Sequence, residues 1–182
     1  MNDMEILRRA YEREPWELAW SAAFLEGEGT LTINVSPPSE KCRSHSPRYT
    51  LWVKADNTEP EPIYRLQAFF GGAVRRYKSK RGFKPAYRWL VTSRGAAACL
   101  QLIKQYFASK RKQTLANYLL ELNKRLRGTP MGGVRLTETE IAARESIVAE
   151  VRKLNMRHGR QNNWRKARAH RCHPEAPRLT GI

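Results

Sequence analysis

Residues 20–31, WSAAFLEGEGTL, place small side chains inside an apolar run and end it on Glu26-Gly27-Glu28-Gly29. The C-terminal end of a helix already carries partial negative charge, so an acid there costs a few tenths of a kcal/mol up to ~1 kcal/mol. Something should compensate two such acids. Ala19, Ala23 and Gly27 recur at i, i+4 and i+8 and line one stripe of the helix. Small residues at that spacing let two helix backbones approach closely. Two helices meeting by these stripes would set their acidic ends side by side, and carboxylates so placed raise each other's pKa unless cations neutralise them. Divalent ions do so with oxygen ligands. Paired metals between carboxylates, in a basic protein, point to phosphodiester hydrolysis. The plainer alternative, a core helix packed on a sheet, leaves Glu26 and Glu28 unexplained.

The protein is strongly basic, and unevenly so. Over 182 residues the net charge is +17; residues 1–62 hold 7 Lys/Arg and 11 Asp/Glu, and residues 63–182 hold 27 and 6. That asymmetry implies a polyanionic partner, most often nucleic acid, without separating DNA from RNA. Hydrophobic residues make up 41%, enough for a core. No apolar run approaches the ~20 residues a membrane helix needs, and the charged start MNDMEILRRAYERE does not read as a secretory signal. Cys42, Cys99 and Cys172 are odd in number and far apart, which argues against a disulfide framework and for a reducing, cytoplasmic setting.

Along the chain, residues 3–13 read as a short helix, and Pro15 opens a second helix to about Glu26, ended by Gly27 and Gly29. Residues 31–35 and 49–55 alternate as strands of a hairpin around the polar loop 36–47. Thr58 and Glu61 have capping-box spacing for a helix to about Phe70, stopped by Gly71-Gly72. Residues 73–80 and 86–92 form a second hairpin around Arg81-Gly82. Ser93 is placed to cap a helix to about Phe107, and a further helix spans about 112–127. Thr137 and Glu140 box the start of an amphipathic helix to about Leu154, with Ile141, Ile147, Val148, Val151 and Leu154 on its apolar face. The class is α+β.

The nonamer SAAFLEGEG, residues 21–29, resembles the LAGLIDADG signature of homing endonucleases, with Glu in place of both acids, Ala23 where Gly is frequent and Ser21 where Leu is usual. The predicted element order matches the αββαββα core of that family. The resemblance spans about residues 15–127 within a domain of about 1–130, with a helical and basic extension at 134–182. Only one motif is present. The resemblance therefore implies a homodimer packed through its motif helices, with Ala19, Ala22, Ala23 and Gly27 at the interface, acting on a pseudo-palindromic double-stranded DNA target.

The resemblance also assigns roles. Glu28 is the expected catalytic metal ligand, assisted by the Gly27 carbonyl, with Mg²⁺ or Mn²⁺ as cofactor. Glu26 is a second candidate acid, which the resemblance makes more structural, bonding near the partner helix end. Lys110 is the expected catalytic lysine, with Lys112 the runner-up and a candidate DNA contact. Ala55 falls where a polar side chain is expected, leaving Lys54, Asp56 or Asn57 to supply it. Two hairpins per subunit form a saddle for the major groove. Its candidate DNA contacts are Thr32, Asn34, Arg43, Arg48 and Lys54 in the first hairpin. Arg75, Arg76, Lys78, Lys80, Arg81, Lys84 and Arg88 are those of the second.

The tail RHGRQNNWRKARAHR reads as a basic arm that orders on phosphates. His170, Cys172 and His173 lack a second pair at zinc-finger spacing, and His158 with Asn163 lack the flanking elements of a His-Asn nuclease. The expected activity is site-specific cleavage of duplex DNA, as in intron homing, by a microbial or phage protein, with an organellar origin also compatible. The competing readings are an RNA maturase whose partner is intron RNA and a DNA-binding regulator that does not cut.

Overall fold

The computed structural model describes residues 14–38, 46–78, 84–128 and 135–156. The first helix α1 (Pro15–Gly27) is followed by the hairpin β1 (Gly29–Ser36) and β2 (Arg48–Asn57) and by α2 (Pro60–Phe70). A second hairpin, β3 (Ala73–Tyr77) and β4 (Ala86–Thr92), leads into α3 (Ser93–Ile103) and a 3₁₀ turn at Lys104–Tyr106. Two longer helices close the fold, α4 (Lys110–Arg127) and α5 (Glu138–Asn155). The chain is α+β in the expected αββαββα order. The expected helix at 3–13 and the basic tail from 157 lie outside the described residues.

The four strands form one antiparallel sheet in the order β1-β2-β4-β3. Strand alternation assigns its two faces. Leu31 and Ile33 of β1, Tyr49, Leu51, Val53 and Ala55 of β2, and Trp89 and Val91 of β4 are buried on the helix-covered face. Their alternates, including Thr32, Asn34, Arg48, Thr50, Trp52, Lys54, Asp56 and Arg88, form the opposite face and are partly or fully exposed. The register pairs Asp56 with Arg88 and Arg88 with Arg75, so these three share the open face.

Two caps differ from the sequence expectation. Pro60 takes the first helical position of α2, Glu59 becomes its N-cap, and neither the Thr58 nor the Glu59 side chain closes a capping box; Asn57 Oδ1 instead accepts from the Glu59 amide at 2.8 Å. Proline needs no amide partner there, which removes the need for a side-chain cap. Ser93 lies inside α3 rather than before it, with φ +50°, and Thr92 is the N-cap. At Gly72, with φ +85°, a Cβ would sit 2.6 Å from the Leu90 carbonyl oxygen, so only glycine lets the chain turn from α2 into β3 against β4.

The helix α5 folds onto the core. Ile147, Val148 and Val151 join the main hydrophobic cluster, Leu154 packs half-buried at its margin, and Ile141 is half-buried. Thr137 caps the helix as expected, accepting from the Glu140 amide at 3.2 Å. Buried Arg144 donates to Glu140 Oε1 at 2.8 Å and to the Arg125 carbonyl at 3.4 Å. Its guanidinium also lies 5.8 Å from the Tyr49 ring centre, and the Tyr49 hydroxyl donates to Glu145 Oε1 at 2.7 Å. These bonds satisfy a buried cation and lock α5 to α4 and to β2. Replacing Arg144 with Met leaves Glu140 and the Arg125 carbonyl short of a donor. The expected outcome is a loss of about 1–3 kcal/mol in unfolding free energy, read by urea denaturation.

Candidate active site and DNA interface

Residues 25–29 carry the chain from the last turn of α1 into β1. Gly29 follows the helix so closely that a Cβ there would fall within van der Waals contact of the Leu25 carbonyl oxygen, Cα and side chain. Glycine is therefore required, and the last helical carbonyls and the first strand carbonyl converge on one point. Lys112 fills that point. It is 3% exposed, and its ammonium donates to the Leu25 carbonyl at 2.8 Å and to the Gly29 carbonyl at 2.5 Å. A cation thus sits on the negative end of α1.

Glu26 answers in the other direction. Ser109, the N-cap of α4, accepts from the Lys112 amide at 3.2 Å and donates its hydroxyl to Glu26 Oε1. The Ser109 amide adds a longer bond to Oε2 at 3.5 Å. One acid of the motif is thereby placed at the positive end of another helix. Glu26 is therefore bonded within its own chain, to the start of α4, where the resemblance implies a bond near the partner helix end.

Glu28 differs from Glu26. It caps α1 in helical geometry, its amide bonding to the Phe24 carbonyl at 2.9 Å, and its side chain is exposed. Among the described residues no hydrogen bond or ion pair engages its carboxylate. Gly27 is exposed beside it, its carbonyl among the last four of the helix, which have no intrahelical donor. A carboxylate and a carbonyl oxygen are the donor types a hard divalent cation takes, so this pair fits Mg²⁺ or Mn²⁺. Among the described residues no cluster of three or more His, Cys, Asp or Glu forms, and one chain presents only part of such a coordination sphere. Lys110 starts α4 one residue beyond Ser109, with its side chain exposed.

The structure separates the small-residue stripe. Ala23 and Gly27 are exposed and Ala19 is half-buried, and a Cβ at Gly27 would meet nothing within 4 Å. Ala22 does not belong with them. It is fully buried in the chain's own core beside Leu18, Ser21 and Leu25, because one residue along a helix turns the side chain by about 100°. Buried Ser21 is satisfied by the Glu17 carbonyl at 2.9 Å.

The DNA-contact candidates divide by strand parity. Thr32, Asn34, Arg48, Lys54, Arg75 and Arg88 share the open face. Arg76 does not, because alternation turns it to the helix side, where its guanidinium lies 6.0 Å from the Tyr87 ring centre. Lys112 is no candidate for a DNA contact, since its ammonium is enclosed by the motif turn. Exposed Lys78 follows β3, and exposed Lys84 pairs with Glu59 at 3.6 Å. Arg43, Lys80 and Arg81 lie outside the described residues. Ala55 faces the core; of the three residues left to supply the polar position, Lys54 and Asp56 lie on the open face, and Asp56 is paired with Arg88.

Sequence reasoning missed three features. Trp52 stands in the middle of the open face, opposite Thr32 and Thr92, where strict alternation of 49–55 already places it. Asp56, weighed only as a stand-in for Ala55, holds Arg88 by a 2.5 Å ion pair, and the Tyr77 hydroxyl accepts from Arg88 at 3.4 Å. This pairing holds the Arg88 guanidinium above its ordinary pKa. Arg65 stacks on Trp20 at 4.2 Å and on Trp16 at 5.1 Å; only three-dimensional packing brings these groups together.

Burial lowers the Lys112 pKa from 10.5 to about 8, with nearby Arg111 acting the same way and Glu26 opposing. In the unfolded chain the ammonium holds its proton to the ordinary value. Between pH 8 and 10.5 the unfolded state therefore binds more protons, and this group's contribution makes stability rise with pH. Denaturation across that range is expected to show wild type gaining stability relative to Lys112→Met, with no relative gain below it.

The sequence matches no protein-family model and no curated protein. Solved structures are similar in fold. The homing endonuclease I-CvuI, in complex with its target in the presence of Ca, superposes with a TM-score of 0.62 at 17% identity, covering 85% of this chain and 91% of that one. The archaeal intron-encoded homing endonuclease I-Vdi141I, complexed with DNA, gives 0.62 at 14% identity over 86% and 95% of the two chains. The LAGLIDADG homing endonuclease I-GzeII, in complex with a DNA target, gives 0.56 at 12% identity, covering 91% of this chain but 53% of that one. With its motif helix, its sheet order and its open face, the chain has the LAGLIDADG homing-endonuclease fold.

Proposed function

We propose that the protein is a homodimeric, divalent-metal-dependent endonuclease that cuts double-stranded DNA at a pseudo-palindromic site. The observation that carries this reading is the carboxylate of Glu28, without a partner among the described residues, at the exposed end of α1, immediately before the strand that opens the sheet's basic face. Among the described residues four bases (Arg48, Lys54, Arg75, Arg88) share that face with one acid, Asp56, and the acid is committed to Arg88. A surface of this composition suits the phosphate-lined groove of a duplex, with arginines suited to guanine edges and lysines to phosphates.

Dimerisation is supported by α1 itself. Leu18, Ala22 and Leu25 face the core and Trp20 and Phe24 pack at its margin, yet Ala19, Ala23 and Gly27 lie on a side of the helix that carries no charge between Glu17 and Glu26. A helix apolar all round is expected to be covered on both sides. The chain also spans about half of I-GzeII, the length expected of one of two equivalent units. In a symmetric dimer each copy contributes Glu28 and the Gly27 carbonyl at the two-fold axis. A divalent ion held there supplies activation of water and stabilisation of the leaving oxygen. Lys110, exposed at the start of α4, offsets phosphate charge near the same helix end.

Cleavage of a randomised duplex library with Mg²⁺ tests the reading directly. Wild type is expected to cut discrete sequences, and Glu28→Gln to bind them while cutting at least about 10³-fold more slowly. Specific binding by both proteins without cleavage would leave a DNA-binding regulator; selection of no duplex would turn attention to intron RNA. Ala23→Arg places a charge on the proposed interface, and sedimentation should find a monomer that no longer cuts both strands.

A further inference from the structure

The runner-up lysine of the sequence reading has a different place. Lys112 is removed from the surface, and its ammonium bonds two carbonyls that bracket Glu26-Gly27-Glu28. Leu25 belongs to the last turn of α1 and Gly29 opens β1. A single group therefore ties the helix end to the strand start, across the very residues proposed to hold metal. The turn is also incompressible on its inner side, since any side chain at Gly29 would strike the Leu25 carbonyl. Ser109 fixes the other end of the lever. It holds Glu26, and it anchors the first turn of α4 from which Lys112 projects.

We infer that Lys112 is a positioning residue for the metal site: by bonding the Leu25 and Gly29 carbonyls it fixes the turn that presents the Glu28 carboxylate and the Gly27 carbonyl. It touches neither DNA nor metal. This rests on the nuclease reading above. Outer residues that orient metal ligands typically contribute 10- to 100-fold to metal affinity. Methionine at 112 keeps the length and apolar stem but removes the donors. Arginine keeps a charged donor with a different reach and should restore part of the effect.

The test uses the duplex selected above and Mn²⁺ as the probe, followed by its electron paramagnetic resonance signal. Wild type, Glu28→Gln, Lys112→Met and Lys112→Arg are compared for duplex affinity, for the salt dependence of that affinity and for Mn²⁺ held by the protein–DNA complex. Lys112→Met is expected to bind the duplex with unchanged salt dependence, to weaken Mn²⁺ binding by about tenfold or more, and to need correspondingly more Mg²⁺ for cleavage. Lys112→Arg is expected to fall between, and it carries the test alone should Lys112→Met fail to fold.

Unchanged Mn²⁺ affinity in the folded variants overturns the inference. So does a drop in the salt slope by about 1, which marks a lost phosphate contact. Wild type that holds no Mn²⁺ in a Glu28-dependent way overturns the nuclease reading itself. Glu28-dependent metal binding with no response to position 112 overturns only the positioning role.

Discussion

The buried ammonium of Lys112 is the contact on which the site depends. It lies where α1, β1 and α4 meet, and it supplies positive charge to a helix end whose sequence supplies only negative charge. Its counterpart is Glu26, carried across to the amide end of α4 by Ser109. Each helix thus lends the other a charge of the sign its terminus lacks. Helix dipoles alone are worth a fraction of a kcal/mol at exposed ends and more when partly buried. Here the exchange takes place at a partly buried junction in which the Lys112 side chain is enclosed, and there an unmatched group would be costly.

That exchange frees Glu28. With Glu26 engaged and the Leu25 carbonyl satisfied, Glu28 is the one acid of the pair left facing solvent. The division of labour between two like residues two positions apart follows from helix geometry: they leave the axis in directions about 200° apart, so one turns to α4 and the other away.

The sheet and the last helix set the frame for this junction. Arg144 and Tyr49 join α5 to the far ends of α4 and β2, while the Asn155 side-chain amide donates to the Leu31 carbonyl at 2.8 Å and Arg111 to the Leu154 carbonyl at 3.2 Å. The C-terminal helix is therefore a brace on the strand that follows the motif. The open face keeps its basic residues because strand parity, not composition, sorts them: Arg75 and Arg76 are neighbours in sequence and lie on opposite sides of the sheet.

Much of this was legible in the sequence. Apolar alternation marked the strands, Gly71-Gly72 and Gly27–Gly29 marked the helix ends, Thr137 marked α5, and the acid-ended helix with its small-residue stripe pointed to the site. These are local signals, carried by backbone preference and side-chain period. What the sequence did not decide was which of several equivalent residues takes each role. Lys110 and Lys112 differ by two positions, and only the approach of α4 to the motif turn buries one and exposes the other. Ala22 and Ala23 are equally small, and only the packing of α1 on the core gives one to the interior. Asp56 and Arg88 are 32 residues apart and meet because β2 and β4 pair. Side-chain identity and spacing determine what elements form; burial and long-range pairing decide which charges remain available for chemistry.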